Sequence, residues 1–337
     1  MTPVETLTLG AYFFVLIILA VYGWHRYYLV YLYMRHKDQQ PKAGPALSPL
    51  PVVTIQLPLY NEMYVADRLI DAVCRIEYPA DRLEIQVLDD SIDETRAIAE
   101  LAVRRQAADG VDIKYFHRAD RSGYKAGALE AGLKVARGEF VAIFDADFLP
   151  TADFLTRLMP HFAAPSVGMV QARWGHINQD YSLLTKIQAI LLDGHFVLEH
   201  GGRNRAGRFF NFNGTAGIWR REAIVDGGGW QHDTLTEDLD LSYRAQLRGW
   251  RFVFLADLIA PAEVPVEMNG FKSQQHRWAK GSVQTCMKLL PRILRSNVPL
   301  GVKAEAFFHL TANFNYPLMC VLSVLMFPSM VIRYNMG

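Results

Sequence analysis

The chain has 337 residues, of which 35 are Lys or Arg and 34 are Asp or Glu, so its formal net charge is +1. Hydrophobic residues make up 51% and charged residues only 20%, whereas globular proteins usually carry about 25% charged residues. This composition excludes a disordered chain, and the near-neutral charge argues against a nucleic-acid-binding protein, which would show a basic domain or stripe. The three widely separated cysteines fit neither a disulfide framework nor a zinc site and are typical of a reducing compartment.

The N-terminal part of the chain predicts a membrane-spanning helix. Residues 7–23 carry no charge, and the apolar run continues through an aromatic-rich stretch to Met34. A spanning helix needs about 20 such residues, and aromatic side chains are typical of the membrane–water interface. A signal peptide, the alternative, would begin with basic residues, whereas Glu5 is the only early charge. We therefore assign residues 1–37 to a transmembrane helix.

Basic residues follow this helix and predict its orientation. Arg35, Lys37 and Lys42 lie directly after the apolar run, and an excess of Lys and Arg marks the cytoplasmic side of a membrane protein. We therefore expect the next domain to lie in the cytoplasm. Residues 38–50 form a linker that leads to it.

The region 51–268 alternates between strand-like and helix-like patterns. Short apolar runs rich in β-branched and aromatic residues predict five strands, at residues 52–57, 83–88, 111–116, 140–144 and 167–171. Helical patterns lie between them, at residues 64–76, 93–107, 125–136 and 151–162. Such alternation predicts an α/β domain with a mostly parallel sheet and helices on both faces. Ligands of these sheets bind beyond the carboxyl ends of the strands.

Acidic and polar residues follow three of the predicted strands. Asn61 and Glu62 come after the first strand, Asp89 and Asp90 end the second, and Asp145-Ala-Asp147 follows the fourth. Three such ends on one edge of a sheet predict a site.

The two aspartates of Asp145-Ala-Asp147 are two positions apart, so both side chains can point the same way. Paired hard oxygen ligands suit Mg²⁺ or Mn²⁺ bridging a diphosphate. An ordinary Asp-rich turn would be the better interpretation if the motif stood alone.

Two further constellations suit a nucleotide. Asp89 and Asp90 can pair with base N–H groups or ribose hydroxyls, or one of them can cap the next helix. Lys125 lies in a Gly-rich segment that opens a helix, where helix N-terminus and positive charge both favour a diphosphate. No Gly-x-Gly-x-x-Gly follows the first strand, so a dinucleotide cofactor is disfavoured.

Two motifs lie further along the chain. Thr236-Glu237-Asp238 precedes a predicted helix, and on spacing alone its acids are best explained by the helix dipole. Gln274-x-x-Arg277-Trp278 begins an amphipathic stretch that predicts interfacial helices at residues 269–300. Arg can neutralise phosphate, Trp can stack on a sugar ring and Gln can bond hydroxyls. The alternative is that Arg and Trp merely snorkel at the lipid headgroups.

A second apolar run covers residues 316–332. We assign residues 301–337 to the start of a truncated C-terminal transmembrane region, with a buried core helix as the alternative.

Together these motifs resemble the processive family 2 glycosyltransferases, which include the cellulose, hyaluronan and mannan synthases. The resemblance rests on Asp89/Asp90, Asp145-x-Asp147, Thr236-Glu237-Asp238 and Gln274-x-x-Arg277-Trp278, in that order, and covers residues 51–290. Residues 86–91, 123–129, 144–148, 170–174 and 212–220 look more closely like the plant cellulose-synthase-like A and C groups. These groups make β-1,4-mannan and β-1,4-glucan.

The resemblance implies a GT-A type, Rossmann-like domain and a role for each residue. Asp145 and Asp147 would hold Mg²⁺ or Mn²⁺ on the donor diphosphate, and Asp238 would be the general base. The other implied roles are substrate contacts: Asp89 or Asp90 to base or ribose, Lys125 and Arg277 to phosphate, Gln274 and Trp278 to the acceptor end, with Phe212, Asn213, Gly214 and Thr215 lining the acceptor pocket. Asn61, Glu62 and Glu237 complete the predicted substrate-binding set.

The activity implied is that of a membrane-bound inverting transferase. It would add hexosyl units from UDP-glucose or GDP-mannose to a growing β-1,4-linked polysaccharide, in the cell membrane of a bacterium or the Golgi membrane of a eukaryote. The expected partners are the nucleotide sugar, the polysaccharide and the lipid bilayer, with no nucleic acid. The family's channel needs further membrane helices, so either the chain is a fragment or a further membrane chain completes the pore. The alternatives are a non-processive enzyme that moves one sugar to a lipid, an inactive membrane scaffold and a metal-dependent phosphohydrolase.

Overall fold

The computed structural model describes residues 1–336. Seven strands form one sheet: β1 (Val53–Leu59), β2 (Leu83–Asp89), β3 (Ile113–His117), β4 (Phe140–Ile143), β5 (Val167–His176), β6 (Gly217–Arg220) and β7 (Arg251–Ala262). Their spatial order is β3-β2-β1-β4-β6-β5-β7. Among the described residues only β6 is antiparallel to its neighbours, β4 and β5, so the prediction of a mostly parallel sheet is confirmed.

Helices cover both faces of this sheet. In chain order they are α1 (Pro3–His36), α2 (Ala66–Cys74), α3 (Thr95–Ala108), α4 (Tyr124–Val135), α5 (Phe154–Leu158), α6 (Leu183–Asp193), α7 (Gly201–Arg205), α8 (Arg221–Asp226), α9 (Glu237–Leu247), α10 (Met268–Arg295), α11 (Leu300–Thr311) and α12 (Asn315–Asn335). A π-helical turn, Gly194–His200, joins α6 to α7. Short 3₁₀ turns complete the secondary structure.

Alternating strand residues build two cores, one on each face of the sheet. Val53, Ile55 and Leu57 of β1 pack with α2, α3 and α5. On the opposite face Val141 and Ile143 of β4 pack with α4, α8 and α9. Successive side chains of a strand point to opposite faces. β4 is apolar on both faces, whereas β1 carries the buried Thr54 and Gln56 on its second face, where they donate to Glu84 and Gln86 of β2.

Three sequence predictions need correction. The strands β6 and β7 were not predicted, and β5 extends to His176, five residues beyond the predicted end. The predicted helix 151–162 is α5 followed by a 3₁₀ turn, Met159–Ala163. Pro160 explains this break, because it has no N–H to donate to the preceding turn of an α-helix.

Two helical segments are long and apolar enough to cross a membrane, namely Pro3–His36 and Leu300–Asn335, which joins α11 to α12. Only 11% and 6% of their most apolar segments are buried within the protein, which disfavours the alternative of buried core helices. α1 packs against α7 and α12. A third, smaller core joins α9 to α10 and α11 through Leu239, Leu289 and Leu310.

Candidate functional site

A cleft with a volume of about 750 Å³ opens at the carboxyl ends of β1, β2 and β4. Parallel strands bring their carboxyl ends to one edge, and α9 and α10 close the opposite side. Twelve of the predicted site residues line this cleft: Glu62, Asp90, Lys125, Asp145, Asp147, Asn213, Gly214, Glu237, Asp238, Gln274, Arg277 and Trp278. The structure therefore brings together motifs that are spread over more than 200 residues of sequence.

Asp145 and Asp147 lie in the loop directly after β4. The backbone N–H of Asp145 donates to Thr215 Oγ1 at 2.9 Å, which fixes this loop against the segment before β6. Burial, followed by the negative charge of Asp145, raises the pKa of Asp147 to about 7. The positive charge of Lys125 opposes this rise in pKa only in part.

The chemistry of the two aspartates suits a divalent cation, and their role as metal ligands stays a prediction. Within residues 1–336, no group of three or more His, Cys, Asp or Glu side chains is placed to hold a metal ion by itself. Two carboxylates with open positions are nevertheless the usual protein share of a Mg²⁺ or Mn²⁺ site that is completed by phosphate oxygens and water. The raised pKa of Asp147 agrees with this, since a cation would supply the missing charge.

Lys125 projects into the cleft from the first turn of α4. Its Nζ forms an ion pair with Asp145 and donates to the carbonyl oxygen of Gly214 at 3.0 Å. It therefore lies at the N-terminus of a helix and beside the aspartates, where a diphosphate is favoured on both grounds.

Asp238 lies in the first turn of α9, on a different element from Asp145 and Asp147. Its Oδ1 accepts from the backbone N–H of Leu239 at 2.8 Å. Burial, followed by the nearby Glu237, raises the pKa of Asp238 to about 7, although that hydrogen bond and Lys125 oppose the rise. A carboxyl group that titrates near neutral pH and lines a cleft is suited to general base chemistry.

Gly214 lets its backbone approach Asp238 of α9 and Lys125 of α4 closely. Its φ of +79° is a conformation that side chains rarely adopt, and a Cβ at this position would lie 3.2 Å from Asp238 Oδ2 and 3.3 Å from Lys125 Nζ. Glycine therefore lets the backbone reach both groups.

α10 carries Gln274, Arg277 and Trp278 to the cleft and is held there by its next two turns. A Cβ on Gly281 would lie 2.6 Å from Thr236 Cγ2 and 2.8 Å from Thr236 N. Gln284 Oε1 accepts from the backbone N–H of Leu235 at 2.9 Å. The helix thus packs directly on the segment that leads into Glu237 and Asp238, which ties the two motifs together.

Asp89 and Asn61 do not line the cleft, in contrast to the prediction. Asp89 is fully buried and accepts from the hydroxyl of Tyr115 at 2.6 Å and from the backbone N–H of Ser91. Asn61 Oδ1 accepts from the backbone N–H of Ile92, which joins the loops after β1 and β2. Both residues shape the loops, and Asp90 remains as the candidate for contact with base or ribose.

The predicted capping role of Asp89 or Asp90 is also wrong. α3 begins only at Thr95, and it is Asp93 Oδ1 that accepts from the backbone N–H of Thr95 at 3.0 Å. Asp90 is instead bound by Arg118, whose Nε donates to Oδ1 at 2.7 Å.

Phe212 and Thr215 lie behind the cleft wall, whereas Asn213 and Gly214 form it. Phe212 is fully buried, with its ring centroid 5.7 Å from that of Trp219. Thr215 is fully buried and supports Asp145. The expectation that all four residues line the acceptor pocket is therefore corrected to two.

Several cleft residues were not predicted, among them Tyr60, Arg121, Trp174 and His176. The Arg121 guanidinium lies 3.2 Å from the centre of the Tyr60 ring. Trp174 Nε1 is buried and has no hydrogen-bond partner among residues 1–336. His176 Nε2 is buried 3.6 Å from Asp193 Oδ1. Trp174 and His176 follow the predicted end of β5, and the signal that could have found them is the continuation of the β-type pattern to His176.

Comparisons with known proteins agree with this geometry. A family model described as "Glycosyltransferase like family 2" matches residues 51–281. The chain is 44% identical to glucomannan 4-beta-mannosyltransferase 2 of Arabidopsis thaliana, over 80% of this chain and 52% of that protein. It is 45% identical to glucomannan 4-beta-mannosyltransferase 1 of Oryza sativa subsp. japonica, over 77% of this chain and 50% of that protein. The chain thus spans about half the length of these curated relatives.

Among solved structures, the chain is similar to the mannosyltransferase PcManGT from Pyrobaculum calidifontis, which was solved in complex with GDP-Man and Mn²⁺. The TM-score is 0.75 at 23% sequence identity, with 96% of this chain and 87% of that chain covered. A second similar structure is S. aureus TarS 1–349 in complex with UDP-GlcNAc, with a TM-score of 0.55 at 16% identity, covering 77% of this chain and 73% of that chain. These findings confirm the GT-A type fold and the resemblance drawn from the motifs.

Proposed function

Because the chain belongs to glycosyltransferase family 2, we propose that it transfers mannosyl units from GDP-mannose to a β-1,4-linked polysaccharide, as a membrane-bound inverting enzyme. One observation carries the proposal. A single cleft holds a pair of aspartates suited to a metal ion, a separate carboxyl group with a pKa of about 7, and the Gln274-x-x-Arg277-Trp278 motif. The mannosyltransferase names of the similar plant proteins favour mannose over glucose.

Asp238 is carried by α9, whereas Asp145 and Asp147 lie in the loop after β4. The cleft therefore holds one carboxyl group that is not part of the aspartate pair, and this supports a single displacement. The acceptor hydroxyl oxygen forms a bond to the sugar C1, the bond from C1 to the diphosphate breaks, and the configuration inverts. Asp238 takes the proton of the hydroxyl during this step, so its carboxylate must be free of the metal. The departing diphosphate carries the electron pair away as negative charge.

Positive groups in the cleft stabilise that charge. Lys125 and Arg277 both line the cleft, and fixed positive groups aimed at developing charge are a large part of catalysis in transferases. Asp145 and Asp147 would hold Mg²⁺ or Mn²⁺, which when bound neutralises the leaving diphosphate. Asp90 is assigned to the nucleoside of the donor. It lines the cleft, and its backbone N–H donates to the carbonyl oxygen of Leu59 at the end of β1, at 3.0 Å.

The acceptor end is assigned to Gln274 and Trp278. An indole face binds a sugar ring by stacking, and amide groups bond hydroxyls. The unpartnered Trp174 Nε1 supports the assignment, because a buried polar atom without a partner is costly and a hydroxyl group of a glycan would satisfy it.

We further propose that α1 and the Leu300–Asn335 segment span the membrane with the catalytic domain on the cytoplasmic side. Arg35, Lys37 and Lys42 follow α1 and support this orientation. Passage of a polymer through the bilayer would need more spans than these two, so a further membrane segment or partner chain would complete a channel.

The proposal is tested by supplying labelled donors to membranes that contain the chain. Labelled GDP-mannose and UDP-glucose are each added with Mn²⁺, Mg²⁺ or a chelator, and the product is digested with β-1,4-mannanase or β-1,4-glucanase. We expect mannanase-sensitive polymer from GDP-mannose with either metal and none with the chelator. A polymer made from UDP-glucose would contradict the choice of sugar, a lipid-linked monosaccharide would favour the non-processive alternative, and release of free sugar or phosphate alone would favour a hydrolase.

The role of Asp238 is tested in the same assay with Asp238→Asn. Loss of a general base costs about 10²–10⁴-fold in rate, so we expect a decrease of at least 10²-fold. Asp180→Asn is the matched control, since Asp180 is exposed on the surface and pairs only loosely with Lys186 at 3.5 Å. Synthesis at the control rate by Asp238→Asn would refute the assignment.

A further inference from the structure

The long helical segment from α6 to α7 is interrupted by a π-helical turn, Gly194–His200. Such turns are rare and frequently lie at functional sites, because the extra residue redirects the side chains that follow. Here the turn carries His195 and Glu199, and Arg203 follows in α7. These three residues form a connected series between the cleft wall and the first membrane helix, which we call the His195–Arg203 series.

His195 contacts the cleft wall at Asn213. Its Nε2 lies 3.1 Å from Asn213 Nδ2, and its Nδ1 lies 3.4 Å from Glu199 Oε2. A carboxylate beside Nδ1 favours a proton on that nitrogen, so Nε2 is left to accept from the amide N–H of Asn213. The amide of Asn213 is thereby oriented with its oxygen away from His195.

Asn213 Oδ1 is buried and has no hydrogen-bond partner among residues 1–336. Asn213 lines the cleft, and its neighbour Gly214 lies against Asp238. A buried acceptor without a donor is costly unless a ligand supplies one. A hydroxyl group near Asp238 would supply it.

Glu199 is held in place from two sides. Its Oε1 is bound by Arg26 of α1, and its Oε2 lies 3.3 Å from the guanidinium of Arg203. Burial alone would raise the pKa of Glu199, but Arg203, His195 and Arg26 together hold it well below its usual range. Glu199 therefore remains a carboxylate and a firm acceptor for His195.

Arg203 links the His195–Arg203 series to α11 and, through Glu305, to α1. It is only 1% exposed and its Nε donates to Glu305 of α11 at 2.8 Å. Glu305 in turn lies 2.9 Å from His25 Nε2 of α1. Both ends of the chain thus contribute charges to one buried cluster beneath the cleft wall.

We infer that His195 is a positioning residue for the acceptor glycan: it holds Asn213 so that Oδ1 accepts a hydrogen bond from an acceptor hydroxyl beside Asp238. The inference rests on the proposed transferase function. His195 itself does not touch the reacting atoms, and it acts through Asn213. Without it the Asn213 amide is free to rotate and to present its NH₂ group to the hydroxyl instead.

The test separates acceptor from donor kinetics. Initial rates are measured for wild type, His195→Ala and His195→Gln with defined β-1,4-mannooligosaccharides as acceptors and with varied GDP-mannose. We expect kcat/KM for the acceptor to fall about tenfold in His195→Ala, the worth of one hydrogen bond, while the donor KM stays within about twofold of wild type. Gln offers an amide oxygen to Asn213 Nδ2, so His195→Gln should recover most of the loss.

Lys186→Ala is the matched control, because Lys186 lies on α6 and its side chain is exposed. Melting temperatures of all variants report on folding. An unchanged acceptor kcat/KM in His195→Ala, an equal loss for donor and acceptor, or equal impairment in Ala and Gln variants would each overturn the inference. These outcomes leave the proposed function intact as long as wild type transfers mannose, whereas a wild type that transfers no sugar overturns both.

Discussion

Asp147 and Asp238 both have a pKa raised to about 7, with burial as the first cause, yet their neighbours differ. Asp147 stands beside Asp145, which could share a cation with it. Asp238 stands beside Glu237 at the start of a helix. A bound cation would remove the proton from the first group, whereas the second keeps its ability to take up a proton during catalysis.

The pKa of Asp238 predicts the pH dependence of transfer. A general base must be unprotonated, so kcat/KM should rise with pH, reach half its maximum near the pKa of about 7 and level off above it. Because the charge of Glu237 helps to raise the pKa of Asp238, Glu237→Gln should move this midpoint to lower pH, even if the overall rate falls. A pH–rate profile of labelled-donor transfer checks both expectations. A profile that stays flat through neutral pH, or an unmoved midpoint in Glu237→Gln, would contradict them.

At this scale the sequence predicted the residues that strand ends and motifs bring together, but not which of them face the cleft. Asp145 and Asp147 could be placed because a buried apolar strand precedes them. Asp89 and Thr215 could not, since their burial depends on a partner far along the chain. Tyr115 donates to Asp89, and the backbone of Asp145 donates to Thr215. The sequence therefore predicts which polar residues lie near a site. It does not predict which of them are buried, because that depends on tertiary contacts.

At the scale of elements, the position of α10 decides whether Gln274, Arg277 and Trp278 reach the cleft. The helix lies against Thr236 at Gly281 and is joined to it again by Thr285, whose Oγ1 is 3.2 Å from Thr236 Oγ1. Trp278 and Gln274 lie about one and two turns earlier on the same helix. Any displacement at Gly281 is therefore carried to these two residues and, through Thr236, to Asp238.

Gly281→Ala should disturb this contact. The added Cβ would lie under 3 Å from backbone and side-chain atoms of Thr236, so the helix must shift. We expect transfer to fall about tenfold or more, since small displacements at a site are costly in rate. Gly270→Ala is the matched control on the same helix, because its Cβ would meet only Pro265 at an ordinary 3.5 Å. Equal rates for the two variants, in the labelled-donor assay, would refute the argument.

The elements themselves were largely predictable from periodicity. All five expected strands exist: β1, β2, β4 and β5 are mostly buried, whereas β3 is a half-exposed strand at the edge of the sheet. β6 was missed because it has only four residues, Gly217–Arg220, and begins with a glycine. Its place between β4 and β5 is set by pairing with both strands, and no local sequence pattern predicts that pairing. The π-helical turn was missed for the same reason, since its register depends on contacts to α1 and the cleft wall.

At the scale of the whole molecule, the α/β domain and the two candidate membrane segments are joined by ionisable side chains as well as by apolar contacts. Arg203 of α7, Glu305 of α11 and His25 of α1 meet in the interior. Buried ion pairs contribute little net stability compared with an apolar core, but losing one partner leaves an uncompensated charge. Here these contacts orient the helices, because they fix the positions of α1 and α11 relative to α7.

The contact between Arg203 and Glu305 predicts that removing one partner destabilises the protein more than replacing both. Arg203→Met leaves Glu199 and Glu305 without their shared cation, and removal of one buried partner costs about 3–5 kcal/mol. The double variant Arg203→Met/Glu305→Leu replaces the pair by apolar groups, and we expect it to recover a substantial part of that loss. Melting temperatures of the full chain in detergent measure both effects. Arg157→Met provides the control, because Arg157 pairs with Asp153 at 3.5 Å on the surface, where such pairs contribute about 0–1 kcal/mol. The prediction would be contradicted if Arg203→Met melted at the temperature of this control, or if the double variant were less stable than the single one.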